Sequence, residues 1–480
     1  KTYTANPSTT TTWYSYDVYG RVTWIIQKID GLGVKSIDYE YDFAKGQVTN
    51  VIYQKYHNPQ QDVPREYFEH KYTYNVAGEL FKVETKANSE LAEYKEQAKY
   101  NYYETGALKR VEIAENVQGI DYIYNLNGQL KAINHPSHSS SLDPGKDGTN
   151  GMPNDLFGFA IDYYNGDYTR TNTPTPVTSN NAFASNNQYN GNIKATRWST
   201  QNIANGAQAS QLFSYNKNNW LQQATFGSAT NTGAITQNAY GNYKVYGLEY
   251  DANGNIKKLN RNKDGNASNA MDRMTYHYKT TKPNQLDYVD DTVNAGVNDM
   301  KDQNAGNYVY NNIGQLTENK GDAVKYEYNA SGLVTKVFQS NKLRVQFDYN
   351  DKGFRVRKRA YTSTGSLEKE TFYVRDAAGS PIAIITPKTG VTQQESIEQP
   401  IYGASRLGVY NKKDGSATYQ ITDHLGNVRA TVGKTSGGQV LTGSSSSADY
   451  YPFGMPMPNR QIVNGEPYRY AYQGQEKDTE

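Results

Sequence analysis

Along most of the chain, tyrosine or an aliphatic residue alternates with a polar residue at a period of two, and each alternating run stops at Asp or Asn followed by glycine. This predicts β-strands joined by tight corners. The complete pattern is Y-x-Y-[DN]-x-x-G-x-[LVI], matched at Tyr14, Tyr16, Asp17, Gly20 and Val22 and again at Tyr72, Tyr74, Asn75, Gly78 and Leu80. It returns at Tyr122, Tyr124, Asn125, Gly128 and Leu130, at Tyr308, Tyr310, Asn311, Gly314 and Leu316, and at Tyr326, Tyr328, Asn329, Gly332 and Val334. Tyrosines two apart share one face of a strand, where rings pack and hydroxyls reach water or backbone. Asp or Asn caps the turn, and the glycine three residues on takes the positive φ of a type I turn with a G1 bulge. The apolar residue after it starts the returning strand, so one motif is one hairpin corner.

With degenerate copies included, the motif occurs thirteen times. Tyr39, Tyr41, Asp42, Gly46 carries one extra turn residue; Tyr100, Tyr102, Gly106 has Tyr103 in the Asx slot; Leu248, Tyr250, Asp251, Gly254 and Phe347, Tyr349, Asn350, Gly353 vary the first ring. Weak copies end at Asn219, Gly379 and Gly426, and a truncated one at Gly191. The spacing between turn glycines is irregular, unlike a propeller blade or an ankyrin unit, and suits a wound sheet in which each repeat buries its face against its neighbours.

Composition fits this reading. The chain has 44 Tyr in 480 residues, 36% hydrophobic residues and a mean hydropathy of -0.85. Such a chain could hardly fill a dense aliphatic core, which points to aromatic ladders on a curved wall with two exposed faces. Fifty basic and 48 acidic residues leave a net charge of +2, so nothing implies nucleic acid or an anionic membrane. With no cysteine there are no disulfides, thiolate metal sites or cysteine catalysis. No stretch approaches the roughly 20 apolar residues of a spanning helix. The chain opens at Lys1 with neither methionine nor signal peptide, which reads as a piece of a longer product.

Four regions emerge: repeats over 1–135, irregular repeats with long polar loops over 136–245, repeats again over 246–400, and a distinct segment over 401–480. In the second region, Phe157 to Tyr164 reads as a strand, Trp198 and Trp220 anchor two more, and His135 to Asn154 and Thr171 to Asn187 read as loops. The one helix candidate is residues 89–99.

Catalytic chemistry finds little to build on. Of the histidines (His57, His70, His135, His138, His277 and His424), only His135 and His138 are close in sequence, and they read as part of a solvated loop rather than a zinc site. Asp423 and His424 have the form of an acid/base pair, but both sit where the corner motif places turn residues. The basic run Arg355, Arg357, Lys358, Arg359 reads as a solvated or lumen-facing strand. No catalytic, cofactor-binding or metal residue is assigned.

The C-terminal segment carries three further signatures: Ile421 to Arg429, with Asp423, His424, Gly426, Asn427 and Arg429; Tyr450 to Pro456, with Tyr451, Pro452, Phe453 and Gly454; and Tyr468 to Tyr470 followed by Gly474 to Asp478. With the corner motifs, and with Asp162-Tyr163-Tyr164 and Tyr189 to Lys194, these resemble the Rhs/YD-repeat family over the whole chain, in the form found in Bacteroidetes members with an Rhs-associated core. The resemblance implies an all-β fold, a long antiparallel sheet spiralling into a hollow cocoon-like shell. It implies a structural, non-enzymatic role enclosing a C-terminal effector or toxin, as in insecticidal toxin complexes and polymorphic toxins, with residues 401–480 beginning the core that plugs the shell. The family's aspartyl autoprotease signature, an Asp-Pro-x-Gly segment after the core, is expected beyond Glu480, where any autoprotease or toxin activity would also lie, and Asp143-Pro144-Gly145 stands in the wrong context for it. Implied partners are the chain's own C-terminal cargo, a cognate immunity protein and secretion machinery, with no nucleic acid, cofactor or membrane span. The implied location is secreted or cell-surface, by the type IX pathway. A teneurin-like module for adhesion or for glycan or protein binding is the alternative. In either case, Pro452, Pro456 and Pro458 are expected to turn the chain off the sheet toward the lumen while the neighbouring aromatics pack on the wall.

Overall fold

The computed structural model describes residues 10–55, 66–170, 172–177, 187–265, 269–293, 300, 302–387, 394–441, 446–465 and 467–477. His57 and Asp478 lie outside them. Among the described residues there are thirty-four strands and two short 3-10 turns, Ala204–Gly206 and Tyr472–Gly474. The strands form two antiparallel sheets, of nineteen and fifteen strands. Each is a meander in which a strand pairs with the next along the chain, as at Thr11–Tyr16 with Val22–Ile29 and Phe68–Tyr74 with Leu80–Ala87. Side branches occur only at Ile235–Gln237 and Val440–Leu441.

Each corner is built as its sequence requires. In the five complete motifs the glycine has φ between +76° and +89°, and its N–H donates to the carbonyl of the Asx residue. The Asx side chain accepts further backbone N–H groups: Asn125 Oδ1 takes those of Asn127 and Gln129, and Asn311 Oδ1 those of Ile313 and Gln315. The register slips by one just before the turn, between Thr73 and Tyr74 for example, which is the expected bulge.

The bulge leaves a gap that the second tyrosine of the motif fills. Ladder pairing between successive hairpins stops short of the corner edge; Asn50 pairs with Lys71, but Val48 has no partner on that strand. The Tyr74 hydroxyl donates to the Val48 carbonyl oxygen at 2.9 Å. Twelve tyrosines make this bond at 2.6–3.1 Å, namely Tyr41, Tyr74, Tyr102, Tyr163, Tyr215, Tyr250, Tyr278, Tyr310, Tyr328, Tyr349, Tyr402 and Tyr450. Leu286 apart, the acceptor is the residue two beyond the preceding turn's glycine, or beyond Asn219. Tyr310 reaches Leu286 across the break between the two sheets, so the hydroxyl ladder carries on where strand pairing does not.

The second sheet lies face-on over the first, and its contacts advance along both sheets in the same direction. Tyr39 meets Ala377, Glu66 meets Gln399, Gln97 meets Tyr419, Ala114 meets Lys434, and Trp198 meets Asp449. Between them runs one buried cluster in which Ile25, Ile29, Ile37 and Val83 from the first sheet share a core with Phe372, Val374, Ile385 and Ile421 from the second. This corrects the expectation that the chain could hardly fill an aliphatic core. Low average hydropathy reflects polar outer faces and loops, while one face of each sheet holds enough Ile, Val and Phe to pack.

Three local expectations are also corrected. Residues 89–99 form no helix: they hold a turn and most of strand Lys95–Tyr102, whose pairing on both sides outweighs helix propensity. Trp220 ends a corner just before strand Leu221–Ala229, its ring against Tyr250 and over Gly254. Pro456 and Pro458 do not stop pairing; they lie in strand Pro456–Val463, which among the described residues pairs only with Ser446–Tyr450 and so forms the sheet edge, where a missing N–H is tolerated.

Candidate functional site

The segment that the sequence marks as distinct, 401–480, supplies the last strands of the second sheet, and its corner Tyr451-Pro452-Phe453-Gly454 is a variant of the repeat corner. Tyr451 occupies the Asx slot, as Tyr103 does earlier: Tyr451 N–H donates to Met455 O and Gly454 N–H to Tyr451 O, with Gly454 at φ +93°. Tyr450 keeps the ladder bond, to Val428 O. Tyr451 is 2% exposed and crosses to the first sheet, its hydroxyl donating to Asn262 O at 2.6 Å. Phe453, by contrast, is 55% exposed, against the expectation that it packs on the wall; like Gly454 it has positive φ, +71°, which turns its side chain outward.

Beside this corner a buried ionic cluster of the second sheet meets the first sheet at Trp198, forming a seam. Asp449, fully buried, accepts from Trp198 Nε1 at 2.7 Å, from Arg460 Nε at 2.7 Å and from Arg429 Nη2. Arg429 also reaches Asp423 Oδ2 at 3.3 Å and lies over the rings of Phe157, Trp198 and Tyr450. Two guanidiniums and an indole N–H satisfy one carboxylate, the condition under which a buried charge is tolerated. A cleft of about 240 Å³ opens against this seam, lined by Phe159, Trp198, Gln211, Asp423, His424 and Phe453 among others.

Asp423 and His424 behave as turn residues. Asp423 Oδ1 accepts from the backbone N–H of Leu425 and Asn427, and Oδ2 from Asn427 Nδ2 at 2.9 Å and from Arg429. His424 stacks on Phe159 at 5.0 Å. Burial holds its pKa below the ordinary value, with Arg429 adding to the shift and Asp423 opposing it. Both Asp423 oxygens are engaged by the turn and the seam, so no free carboxylate faces the imidazole.

The remaining sequence candidates are dispersed. His135 is 2% exposed and bonds Ser137 Oγ, and His138 bonds Ser199 Oγ, both at 2.7 Å. They are therefore not in a solvated loop, and burial pushes the pKa of each down to about 4. In the basic run, Arg357 pairs with Glu370 and Asp30, and Arg359 with Asp348. Composition did not single out Lys131, Arg197, Asp449 or Arg460. Lys131 and Arg197 hold fully buried Asp162 from opposite sides, at 2.9 Å each. A lysine or arginine alternating with apolar residues in a buried strand is the available signal, and it is weak without the partner.

No protein-family model matches the chain, and no curated protein matches it in sequence. Solved structures do match. A chain in the crystal structure of TcdB2-TccC3 aligns with a TM-score of 0.64 at 13% identity, covering 97% of this chain and 22% of that one. A chain in the crystal structure of TcdB2-TccC3-Cdc42 gives a TM-score of 0.63 at 13% identity, covering 97% of this chain and 21% of that one. This chain thus spans about a fifth of the length of the solved chains it matches. No helix among the described residues is long and apolar enough to cross a membrane. Nearly end to end, this chain has the fold of one segment of the chains in the TcdB2-TccC3 complexes.

Proposed function

We propose that this chain is a section of the wall of an Rhs-type shell, a structural enclosure for a toxin or effector polypeptide of the same protein, working by containment and not by catalysis. The observation that carries the reading is the way the two meandering sheets are laid over each other in the same direction and locked at Asp449, as a strip wound past its own start would be. The fold likeness to TcdB2-TccC3 chains and the tyrosine corners that recur along both sheets support it. Secretion, a cognate immunity protein and membership in the Rhs/YD-repeat family belong to the same proposal.

Proteolysis of the natural gene product tests the reading. Any polypeptide that the gene encodes outside residues 1–480 is expected to survive a broad-specificity protease within the intact protein and to be digested when produced alone. Equal digestion in both settings would overturn enclosure and leave an open surface module.

A further inference from the structure

The loop between strands Leu130–Ile133 and Phe157–Asp162 gathers more buried negative charge than its surroundings neutralise. Asp121, on strand Gln118–Tyr124, and Asp143 and Asp147, on the loop, each present an oxygen within 4.8 Å of the others. Their exposures are 4%, 1% and 1%, and Asp155, at 2%, lies close enough for the negative charge of Asp143 to push its pKa further up, after burial itself. Arg110 provides the counter-charge, bonding Asp121 through Nη1 and Asp147 through Nη2, the latter at 2.6 Å, while its Nε is shared with Glu112. One guanidinium therefore pairs with two of the four buried aspartates, Asp121 and Asp147.

A second observation separates this group from an ordinary acidic cluster. Asp143 Oδ1, Asp147 Oδ2 and Asp155 Oδ1 are buried and have no hydrogen-bond partner. Leaving three carboxylate oxygens unsatisfied costs several kcal/mol unless protons or a cation take them up. The backbone around them is cut away as well. A Cβ at Gly119 would stand 2.0 Å from Arg110 Nη2 and 2.3 Å from Asp147 Oδ2, and one at Gly145 1.9 Å from Arg110 Nη1 and 2.4 Å from Asp121 Oδ2, so only glycine leaves room for the guanidinium and the carboxylates to meet.

The donor set selects the ion. All the atoms are hard carboxylate oxygens, which disfavours zinc and copper. Oxygens bound to Ca²⁺ at about 2.3–2.6 Å are at most about 5 Å apart across the ion, which agrees with the spread of Asp121, Asp143 and Asp147. Mg²⁺ prefers to keep several waters and one or two carboxylates, a poor fit to a dry group of four. We propose that Asp121, Asp143, Asp147 and Asp155 bind one Ca²⁺ ion that fastens this loop to the first sheet. The site is independent of the enclosure reading: Ca²⁺ would act on the stability of the wall whatever the wall contains.

The test uses the full chain, stripped with chelator and then titrated with CaCl₂ or MgCl₂ alone. Calorimetry and elemental analysis are expected to find one Ca²⁺ per chain, with a melting temperature raised in millimolar Ca²⁺ and unchanged in equimolar Mg²⁺. Asp143→Asn with Asp147→Asn should abolish uptake and the melting shift while the β circular dichroism spectrum is kept. Asp155→Asn, which leaves Asp143 an amide donor and is the variant expected to fold in any case, should weaken uptake at least tenfold. A wild-type chain that takes up no Ca²⁺ and melts identically in Ca²⁺ and chelator would overturn the proposal, because protons would then be what neutralises the group; so would unchanged uptake by Asp155→Asn.

Discussion

The hydroxyl of Tyr74 donates to the carbonyl oxygen of Val48, 26 residues earlier and one hairpin back. That relationship, repeated in register down the wall, gives each motif position a task. The Asx residue and glycine make the corner, the bulge they create frees a carbonyl on the returning strand, and the next motif's second tyrosine bonds it. A net hydrogen bond of this kind contributes about 1 kcal/mol.

Removing the hydroxyl alone should therefore have a graded effect. Tyr74→Phe or Tyr250→Phe is expected to cost about 1 kcal/mol each, and the pair to be additive because the sites are distant. Tyr16 heads the series, has no such bond and is 58% exposed, so Tyr16→Phe should lie within about 0.5 kcal/mol of wild type. Urea denaturation distinguishes these outcomes; equal effects at all three sites would remove the ladder from the account.

The corner glycines divide by what surrounds them. Gly128 has φ +76° and nothing within 4 Å of an added Cβ, so Gly128→Ala should cost about 1 kcal/mol through backbone strain alone. Gly379 has φ +94°, and an added Cβ would fall 2.3 Å from the Phe354 ring. Gly379→Ala should cost more, by about 1–3 kcal/mol, because the ring must move as well. The same denaturation curves rank the two.

At the seam, Asp449→Asn keeps the shape but leaves Arg429 and Arg460 short of a counter-charge. The expected loss is about 3–5 kcal/mol, the range for breaking one partner of a buried pair. An Asn Oδ1 still accepts from Trp198, so the loss should loosen the strands that carry the two arginines, and hydrogen exchange is expected to rise on Ser446–Tyr450 and its neighbour Ala195–Thr200 before it rises on Val22–Ile29. Uniform exchange across the three strands would contradict a local lock.

His70 gives the wall a pH dependence of known sign. It is 1% exposed beneath Tyr402, and burial pushes its pKa from 6.5 to about 4. Between these values the unfolded chain binds the extra proton, so this residue's contribution to stability is full above pH 6.5 and is lost as pH falls toward 4. Across that window, wild type should lose roughly 3 kcal/mol more than His70→Phe. Comparing the two slopes cancels the buried carboxylates, of which Asp121, raised to about 7 chiefly by burial, works in the opposite direction.

Corner positions, strand identity and the all-β class were legible in the sequence because each is encoded within nine residues, down to weak copies such as Asn216 with Asn219, which turns as the full motif does. What was hidden lies between distant residues. The ladder acceptors sit in the previous repeat at irregular distances, so the tyrosine spacing shows a donor without its partner. Asp449 meets Trp198 across 251 residues, and the core that the two sheets share cannot be inferred from average hydropathy. Pro456 read as a stop because sequence shows a lost donor but not that the strand is an edge.

The most direct measurement of the central claim is a cryo-electron microscopy reconstruction of the natural full-length protein. The expected result is a closed chamber whose wall contains these two sheets, meeting at the Trp198–Asp449 seam, with polypeptide density inside. An open sheet, or the same two sheets packed with no enclosed volume anywhere in the particle, would contradict it.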